Sequence, residues 1–379
     1  MLVDVPLVCH DASHQSPALR KIKMADPADR LRVVRLDLPM DAAAFDEMIS
    51  TSPSLALTVE SATGSDAAAW QALSQAHVYH VASARDDMAQ HWYVAQPLLD
   101  RCPDLLAVSS YGAGYDTVDV DACTKAGVCV MNQAGSNAGA VAEHTLGLML
   151  GLSKRIAESD RRLRRGEPLT RQDVVGFDLS GRTLGLVGIG HAGRRVAQLG
   201  RAFGMTVLAT DPYLEPQEII RRGAEPVLLA ELLRRSDVVS LHCPRDRHTA
   251  GMIGAPEFAA MNQGALFVTT ARGGIHDEAA LLDALVRGHL GGAGLDVWAL
   301  EPPTFEHPLL ALDNVLATVH TAGVTHDSRR QMATMAASQI QALAHGARPP
   351  RLVNPEVWPA YAERFARIVG RPVSAGEIA

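Results

Sequence analysis

Residues 183–211, TLGLVGIGHAGRRVAQLGRAFGMTVLATD, constrain the fold more than any other stretch of this chain. A short apolar run leads into Gly188, Gly190 and Gly193, spaced GxGxxG, and an amphipathic run of helical period follows. A second apolar run then ends on Asp211, 18 residues after Gly193. Each glycine answers a separate need: Gly188 makes a tight turn, Gly190 lets backbone approach a pyrophosphate, and Gly193 lets helix and strand pack closely. His191 and Ala192 offer backbone N–H groups at the positive end of the helix. Asp211 is placed to accept hydrogen bonds from adenosine ribose hydroxyls and to repel a 2′-phosphate. A ligand-free glycine turn can show the same three glycines. The strand before, the helix after and the acid closing the next strand are the context of a dinucleotide site, and they favour NAD over NADP. Neither Arg221 nor Arg222 follows Asp211 directly, where an NADP-selecting arginine would stand.

The same alternation runs through the chain. LRVVRLDL (31–38), LALTVE (55–60), HVYHVA (77–82) and LLAVSSYG (105–112) are strand candidates separated by alanine-rich polar runs such as SDAAAWQALSQA. MTVLATD (205–211), DVVSLHCP (237–244), ALFVTTARG (265–273), GGAGLDVW (291–298) and NVLATVHT (314–321) continue the series after TLGLVGIG (183–190). Short apolar strands divided by helices describe an α/β protein with two doubly wound, Rossmann-like parallel sheets. Amphipathic helices are expected from about Asn137 to Arg165 and from about Ser328 to His345. They suggest that the chain leaves its first domain and later returns to it. The expected division is 1–134 with 324–356 as a flavodoxin-like substrate domain and 135–323 as the dinucleotide domain, with a cleft between them and a tail over 357–379.

The bulk properties exclude several other classes. Of 379 residues, 47% are apolar and 20% charged, with a net charge of -7, which counts against nucleic acid or an anionic membrane as the main partner. Cys9, Cys102, Cys123, Cys129 and Cys243 show no CxxC spacing, which suits free thiols in a reducing compartment and offers no zinc site. MLVDVPLVCHD has no basic n-region, and the longest apolar stretch, TLGLMLGLS (145–153), is too short to span a bilayer. A cytoplasmic protein without a metal is expected.

Ligands of an open α/β sheet bind beyond the carboxyl ends of its strands. At those ends stand His242-Cys243-Pro244, then Arg272, Asp296 and His320, with Glu301 five residues after Asp296. A histidine can move the proton of an alcohol or carbonyl oxygen. A neighbouring carboxylate favours its imidazolium form, and an arginine can grip a substrate carboxylate and polarise the adjacent carbonyl. Each has a plainer reading: a strand-end histidine that only hydrogen-bonds, a Glu301 that faces solvent before Pro302-Pro303, an Arg272 paired with Asp277. The three together, above a dinucleotide loop, point to catalysis.

Several blocks now make the chain similar to the D-isomer-specific 2-hydroxyacid dehydrogenases, over roughly residues 75 to 356. They are YGAGYDTVD (111–119), NAGAVAEHTLGLML (137–150), GRTLGLVGIGHAGRRVA (181–197), VVSLHCPRDRHTAGMIG (238–254), MNQGALFVTTARGGIHDEAALLDAL (261–285), AGLDVWALEPP (293–303) and LVNPEV (352–357). The resemblance implies that Arg272 binds substrate, that Glu301 pairs with the histidine, and that His320 is the acid/base. It gives Asp296 to the nicotinamide carboxamide, and His242, Pro244, Thr249, Thr270, Ala271 and Gly323 to the cofactor lining. Ala113 and Gly114 become backbone donors to the substrate carboxylate, with Gly273 and Gly274 keeping the backbone slim beside the nicotinamide. It also implies a homodimer through the helix opening at NAGAVAEH.

The chain departs from the family pattern in places. Ser110 stands where an arginine is common, and ARDDMAQHWYVAQ (84–96) is longer than usual. Arg85 falls near the position of a phosphate-binding arginine, and His276 replaces an apolar residue at the start of a helix. Three readings follow. The first is an NAD-dependent enzyme interconverting a small D-2-hydroxy acid and its 2-keto acid. The second is an NAD(H)-sensing binding protein like the C-terminal-binding co-repressors, which keep the same trio; the absence of long disordered tails and of a strongly charged partner surface counts against it. The third, the formate dehydrogenase branch, pairs its histidine with a neutral amide and is disfavoured by Glu301.

Overall fold

Apolar runs of four to seven residues are stable as strands only where both faces of a sheet are covered. Apart from the partly exposed edge strand Leu55–Ser61, they occupy such positions in the computed structural model of the protein, which describes residues 30–38, 42–63 and 66–374. Cys9 and the N-terminal stretch assessed above for a leader lie outside the described residues.

Strands β1 (Leu31–Asp37), β2 (Leu55–Ser61), β3 (Val78–Ala82), β4 (Ala107–Tyr111) and β5 (Cys129–Met131) form one sheet in the order β2-β1-β3-β4-β5. All its pairings are parallel, with Val78 opposite Ala107 and Ala107 opposite Cys129. Helices α1 (Ala43–Ser50), α2 (Asp66–Ser74), α3 (Gln96–Arg101) and α4 (Val120–Lys125) make its crossovers. Every residue of β3 and β4 is buried. Asp119 starts α4 by accepting the Ala122 N–H at 2.9 Å, an N-cap that satisfies an otherwise orphan donor.

Helices α5 (Ala138–Ser153) and α6 (Ile156–Arg164) lead into the second sheet. Its strands are β6 (Thr183–Val187), β7 (Thr206–Thr210), β8 (Glu225–Pro226), β9 (Val238–Leu241), β10 (Leu266–Thr269), β11 (Gly292–Leu295) and β12 (Val315–Ala317). The order β12-β11-β10-β9-β6-β7-β8 is parallel throughout and reverses at β6. The crevice between β6 and β9 is therefore the switch point at which such sheets bind ligands. Helices α7 (His191–Ala202), α8 (Pro216–Arg221), α9 (Leu229–Arg235), α10 (Ala255–Ala260) and α11 (Glu278–Val286) connect the strands. Then α12 (His326–Ala344) returns to the first sheet. Its Ala333, Ala336, Ala337, Ile340 and Leu343 share a core with Leu31, Val33, Phe45 and Met131. Among the described residues no helix is long and apolar enough to cross a membrane.

The structure revises the expected elements in four places. The helix expected from Asn137 to Arg165 is two helices. Arg155 between them takes the left-handed conformation (φ 51°), and the Ser153 carbonyl accepts the Phe177 N–H at 2.8 Å. A Cβ on Gly176 would lie 2.2 Å from that carbonyl, so the 176–177 segment crosses just where α5 stops. Strands β5 and β8 add to the expected series. The candidate strands end earlier than drawn, so Arg272, Asp296 and His320 occupy the loops just after β10, β11 and β12. Finally, residues expected as a tail form α13 (Trp358–Val369), whose Tyr361 and Phe365 are fully buried in the core of the first sheet.

Candidate active site

The glycine loop has the geometry its spacing demands. Gly188 has φ +89°, and a Cβ there would lie 2.8 Å from the Cys243 nitrogen, so the turn passes hard against the end of β9. A Cβ on Gly193 would lie 2.3 Å from the Gly188 carbonyl. One on Gly190 would meet no protein atom within 4 Å. The middle glycine thus faces open space at the start of α7, beside His191 and Ala192, where a pyrophosphate needs backbone access. Asp211 accepts the Ile189 N–H and the Tyr213 N–H, both at 3.1 Å, which leaves further lone pairs for ribose hydroxyls. Arg222 is remote in sequence, yet it reaches the same loop and donates to the Ile189 carbonyl at 2.8 Å while paired with Glu218 at 2.7 Å. We expect Gly193→Ala to weaken NADH binding by about tenfold or more, equivalent to about 1.4 kcal/mol. A fluorescence titration measures this, and unchanged affinity would remove the close-packing role.

The rest of the cofactor edge is held by short-range bonds. His242 shares a 2.9 Å hydrogen bond with the Ser240 hydroxyl, and burial pushes its pKa down to about 4, so the ring is neutral. Thr249 donates to the Pro244 carbonyl at 2.7 Å and braces the 244–249 turn. Thr270 meets Thr145 of α5, oxygen to oxygen, at 3.1 Å, and Ala271 is buried beside it.

A cleft of about 380 Å³ opens between the two sheets, lined by Ala113, Gly114, Thr270, Arg272, Asp296, His320 and Gly323 among others. His320 Nδ1 lies 2.8 Å from Glu301 Oε2, and the other Glu301 oxygen accepts the Trp298 N–H at 2.9 Å. The carboxylate is thereby fixed in orientation. The hydrogen bond His320 donates to Glu301 raises the His320 pKa against the opposing effect of burial. Burial pushes Glu301 the other way, but the His320 bond and charge leave its pKa lowered. The pair thereby favours carboxylate and imidazolium over two neutral groups.

Asp296 lines the cleft and also holds the loop that carries His320. It is fully buried, accepts the Thr318 hydroxyl at 2.6 Å and the Thr321 and Ala322 N–H groups at 2.8 and 2.9 Å, and its own carbonyl takes the His320 N–H at 2.6 Å. His320 sits at φ 55°, uncommon for a residue with a side chain, and these bonds hold it there. His144 of α5 adds a 3.1 Å contact to Thr318.

Arg272 enters the cleft with Nη1 on the Ala271 carbonyl at 2.8 Å and Nε 3.3 Å from Asp116. The alternative partner, Asp277, instead caps α11 by accepting the Ala279 and Ala280 N–H groups. A Cβ on Gly114 would lie 2.5 Å from Arg272 Nη2, so the loop backbone touches the guanidinium. Gln133 N–H donates to the Gly112 carbonyl at 2.7 Å, the Asn132 side chain to Ala113 at 2.8 Å, and the Ser110 hydroxyl to Gly114 at 2.6 Å. N–H and C=O of a trans peptide point in opposite directions. Fixing these carbonyls turns the Ala113 and Gly114 N–H groups away from the tethers. Ser110 thus anchors the loop where an arginine is common.

The glycine pair after Arg272 needs a correction. A Cβ on Gly273 would lie 1.7 Å from the Trp298 carbonyl, so its slimness serves the packing of the β10 and β11 loops. Gly274 has φ +74° and faces Arg245. Sequence reasoning also missed Asp116, Asn132, Gln133 and His144. Asp116 lies in the block YGAGYD and His144 in NAGAVAEH, whereas Asn132 and Gln133 fall outside every block.

Residues 146–322 match the family model described as D-isomer specific 2-hydroxyacid dehydrogenase, NAD binding domain. The chain is 38% identical over 266 residues to a glyoxylate reductase of Korarchaeum cryptofilum, covering 69% of this chain and 79% of that one. The chain belongs to the D-isomer-specific 2-hydroxyacid dehydrogenase family. That family carries out NAD-dependent oxidoreduction at a CH–OH group. A D-3-phosphoglycerate dehydrogenase of Archaeoglobus fulgidus is 35% identical over 283 residues, 74% of this chain, which spans only 54% of that protein's length. Among solved structures, a glyoxylate reductase from Paecilomyes thermophila superposes with a TM-score of 0.75 at 28% identity, covering 86% of this chain and 99% of that one. A D-lactate dehydrogenase from Aquifex aeolicus, solved with NAD and lactic acid, gives 0.71 at 28% identity, covering 83% and 96%.

Proposed function

We propose that this dehydrogenase interconverts a small D-2-hydroxy acid and its 2-keto acid, with NAD preferred to NADP. The observation that carries the reading is His320, backed by Glu301, facing the same cleft as Arg272 and Gly114 at the carboxyl edge of the glycine-loop sheet. The cofactor residues are those of the glycine loop with Asp211, and the lining from His242 to Gly323. The bound dinucleotide supplies or accepts the hydride at C2.

The chain's own residues do the rest. The Ala113 and Gly114 N–H groups and Arg272 hold the substrate carboxylate, and the guanidinium polarises the C2 carbonyl. In the direction of reduction, protonated His320 donates its proton to the C2 oxygen; in oxidation the neutral ring takes it back. Glu301 keeps Nδ1 occupied and stabilises the imidazolium. Asp296 positions the loop that carries His320. Closure of the cleft between the first sheet, with α12 and α13 on it, and the second sheet, with α5 and α7 on it, excludes water.

We further propose a cytoplasmic homodimer assembled through the α5–α6 region. Exposed Ile156 and Leu163 on α6 support that surface, and the buried free thiols of Cys102, Cys123 and Cys129 suit a reducing compartment.

The test is oxidation of NADH, in parallel with NADPH, against glyoxylate, hydroxypyruvate, pyruvate, 3-phosphohydroxypyruvate and bulkier 2-keto acids. Turnover with NADH preferred is expected. Tight NADH binding without turnover of any acid would overturn the dehydrogenase reading in favour of a sensing protein.

A further inference from the structure

We infer that Asp86 and Asp87 make the side-chain end of the substrate cleft acidic, so that it selects 2-keto acids bearing a hydrogen-bond-donating, above all cationic, side chain and rejects phosphorylated ones. The inference rests on the reading of the cleft as a keto-acid site and names the substrate class within it.

Asp86 and Asp87 lie on the single 3-10 turn Arg85–Asp87 and line the same cleft as Gly114, Arg272 and His320. Arg85, which in sequence stands near a phosphate-binding position, is not part of that lining. Its Nε donates to the Asp116 carbonyl at 3.1 Å, and its own carbonyl accepts the Tyr93 hydroxyl at 2.6 Å. Arg85 thus braces the turn and does not serve the substrate. Behind the turn Met88 and Trp92 are buried, Trp92 packs on Trp70, and Val94 bridges to Val118. The unusually long 84–96 segment is therefore a packed wall that presents two carboxylates at a fixed place.

The charge balance of the cleft follows. Arg272 is committed to the substrate carboxylate and His320 to the C2 oxygen. What remains for the C3 substituent is Asp86, Asp87 and one cation, Arg329 in the first turn of α12. Burial foremost, and then Asp86, push the Asp87 pKa up, while His320 and Arg329 act against them. Two carboxylates against one guanidinium leave this end net negative. At roughly 5–6 Å and an effective dielectric near 20, a like-charge pair costs about 3 kcal/mol. Solvent screening of these exposed carboxylates leaves the two together disfavouring an anionic ligand on the order of 10- to 100-fold. An ammonium or guanidinium gains where a phosphate loses.

The experiment compares kcat/KM with NADH for glyoxylate, hydroxypyruvate, 3-phosphohydroxypyruvate and 2-oxo-5-guanidinopentanoate. It uses the parent and the variant carrying both Asp86→Asn and Asp87→Asn. The parent is expected to favour the guanidino acid over 3-phosphohydroxypyruvate. The double substitution should raise the ratio of 3-phosphohydroxypyruvate to glyoxylate by about 10- to 100-fold. A parent that prefers 3-phosphohydroxypyruvate would assign the subsite to Arg329 and overturn the inference, as would a ratio that moves less than threefold. If the double variant fails to bind NADH, the single Asp86→Asn and Asp87→Asn variants are read in the same way. Absence of turnover with every acid would remove the dehydrogenase reading. The inference is then decided by dissociation constants of the guanidino and phospho acids measured by calorimetry with NAD bound. Equal or tighter binding of the phospho acid overturns it.

Discussion

Replacing His320 by alanine is expected to lower kcat for keto-acid reduction by about 10²- to 10⁴-fold, with NADH affinity within a few-fold of the parent. The ring shares the cleft with Arg272 and Gly114, and its Nδ1 is occupied by Glu301 at 2.8 Å. The proton available to the substrate is therefore the one on Nε2. Reduction needs the imidazolium, so the rate should fall as pH rises through the His320 pKa, which Glu301 holds above the ordinary histidine value. Glu301→Gln keeps a hydrogen-bonding group but removes the charge. The falling limb of the pH profile should then move to lower pH, while kcat at acid pH is recovered in part. A kcat for His320→Ala within a few-fold of the parent sinks the acid/base assignment. A pH limb unmoved in Glu301→Gln sinks the role of the pair.

The parts of the fold legible from sequence were those set by local chemistry. The GxGxxG loop was readable because φ +89° at Gly188 and a Cβ contact of 2.3 Å at Gly193 allow little but glycine. The parallel sheets were readable because strands covered on both faces are apolar throughout. Strands β5 and β8, of three and two residues, are too short to carry any period. The break between α5 and α6 was hidden for another reason. The contact of Ser153 with Phe177 that stops α5 joins residues 24 positions apart, and nothing in the helix's own residues announces it.

The site divides in the same way. Arg272, Glu301 and His320 could be singled out because strand ends at a switch point are exposed to ligand whatever the rest of the chain does. Their supports could not. Asp116 reaches Arg272 across 156 positions of sequence, and Asp296 serves the loop 22 to 26 residues later that bears His320. The 84–96 segment looked like an unplaced loop because its order comes from Trp70 and Val118, which belong to other elements.

Acidification from pH 7 to pH 5 is expected to cost this protein several kcal/mol of stability, well before its carboxylates protonate. His77, His80 and His276 are all buried, and burial foremost pushes each pKa down to about 4. His77 accepts the Arg32 N–H through Nδ1 at 3.0 Å, which a protonated ring cannot do. His80 stacks on Phe45 at 4.2 Å and meets the Ser109 hydroxyl at 3.1 Å. Both ring nitrogens of His276 are buried without a hydrogen-bond partner. With folded values below the unfolded one of about 6.5, the unfolded chain binds more protons between the two. Stability is therefore complete above pH 6.5 and is lost as pH falls toward 4. Each histidine contributes about 2 kcal/mol of loss at pH 5, or about 6 kcal/mol for three, against a total stability typically of 5–15 kcal/mol. Differential scanning calorimetry should show Tm dropping by roughly 10 °C between the two pH values. His276→Leu removes one buried titrating ring at similar volume, so it should raise Tm at both pH values and reduce the acid shift by about a third. An equal Tm at pH 7 and pH 5 would mean that these rings protonate freely in the fold, and that the packing described around them is wrong.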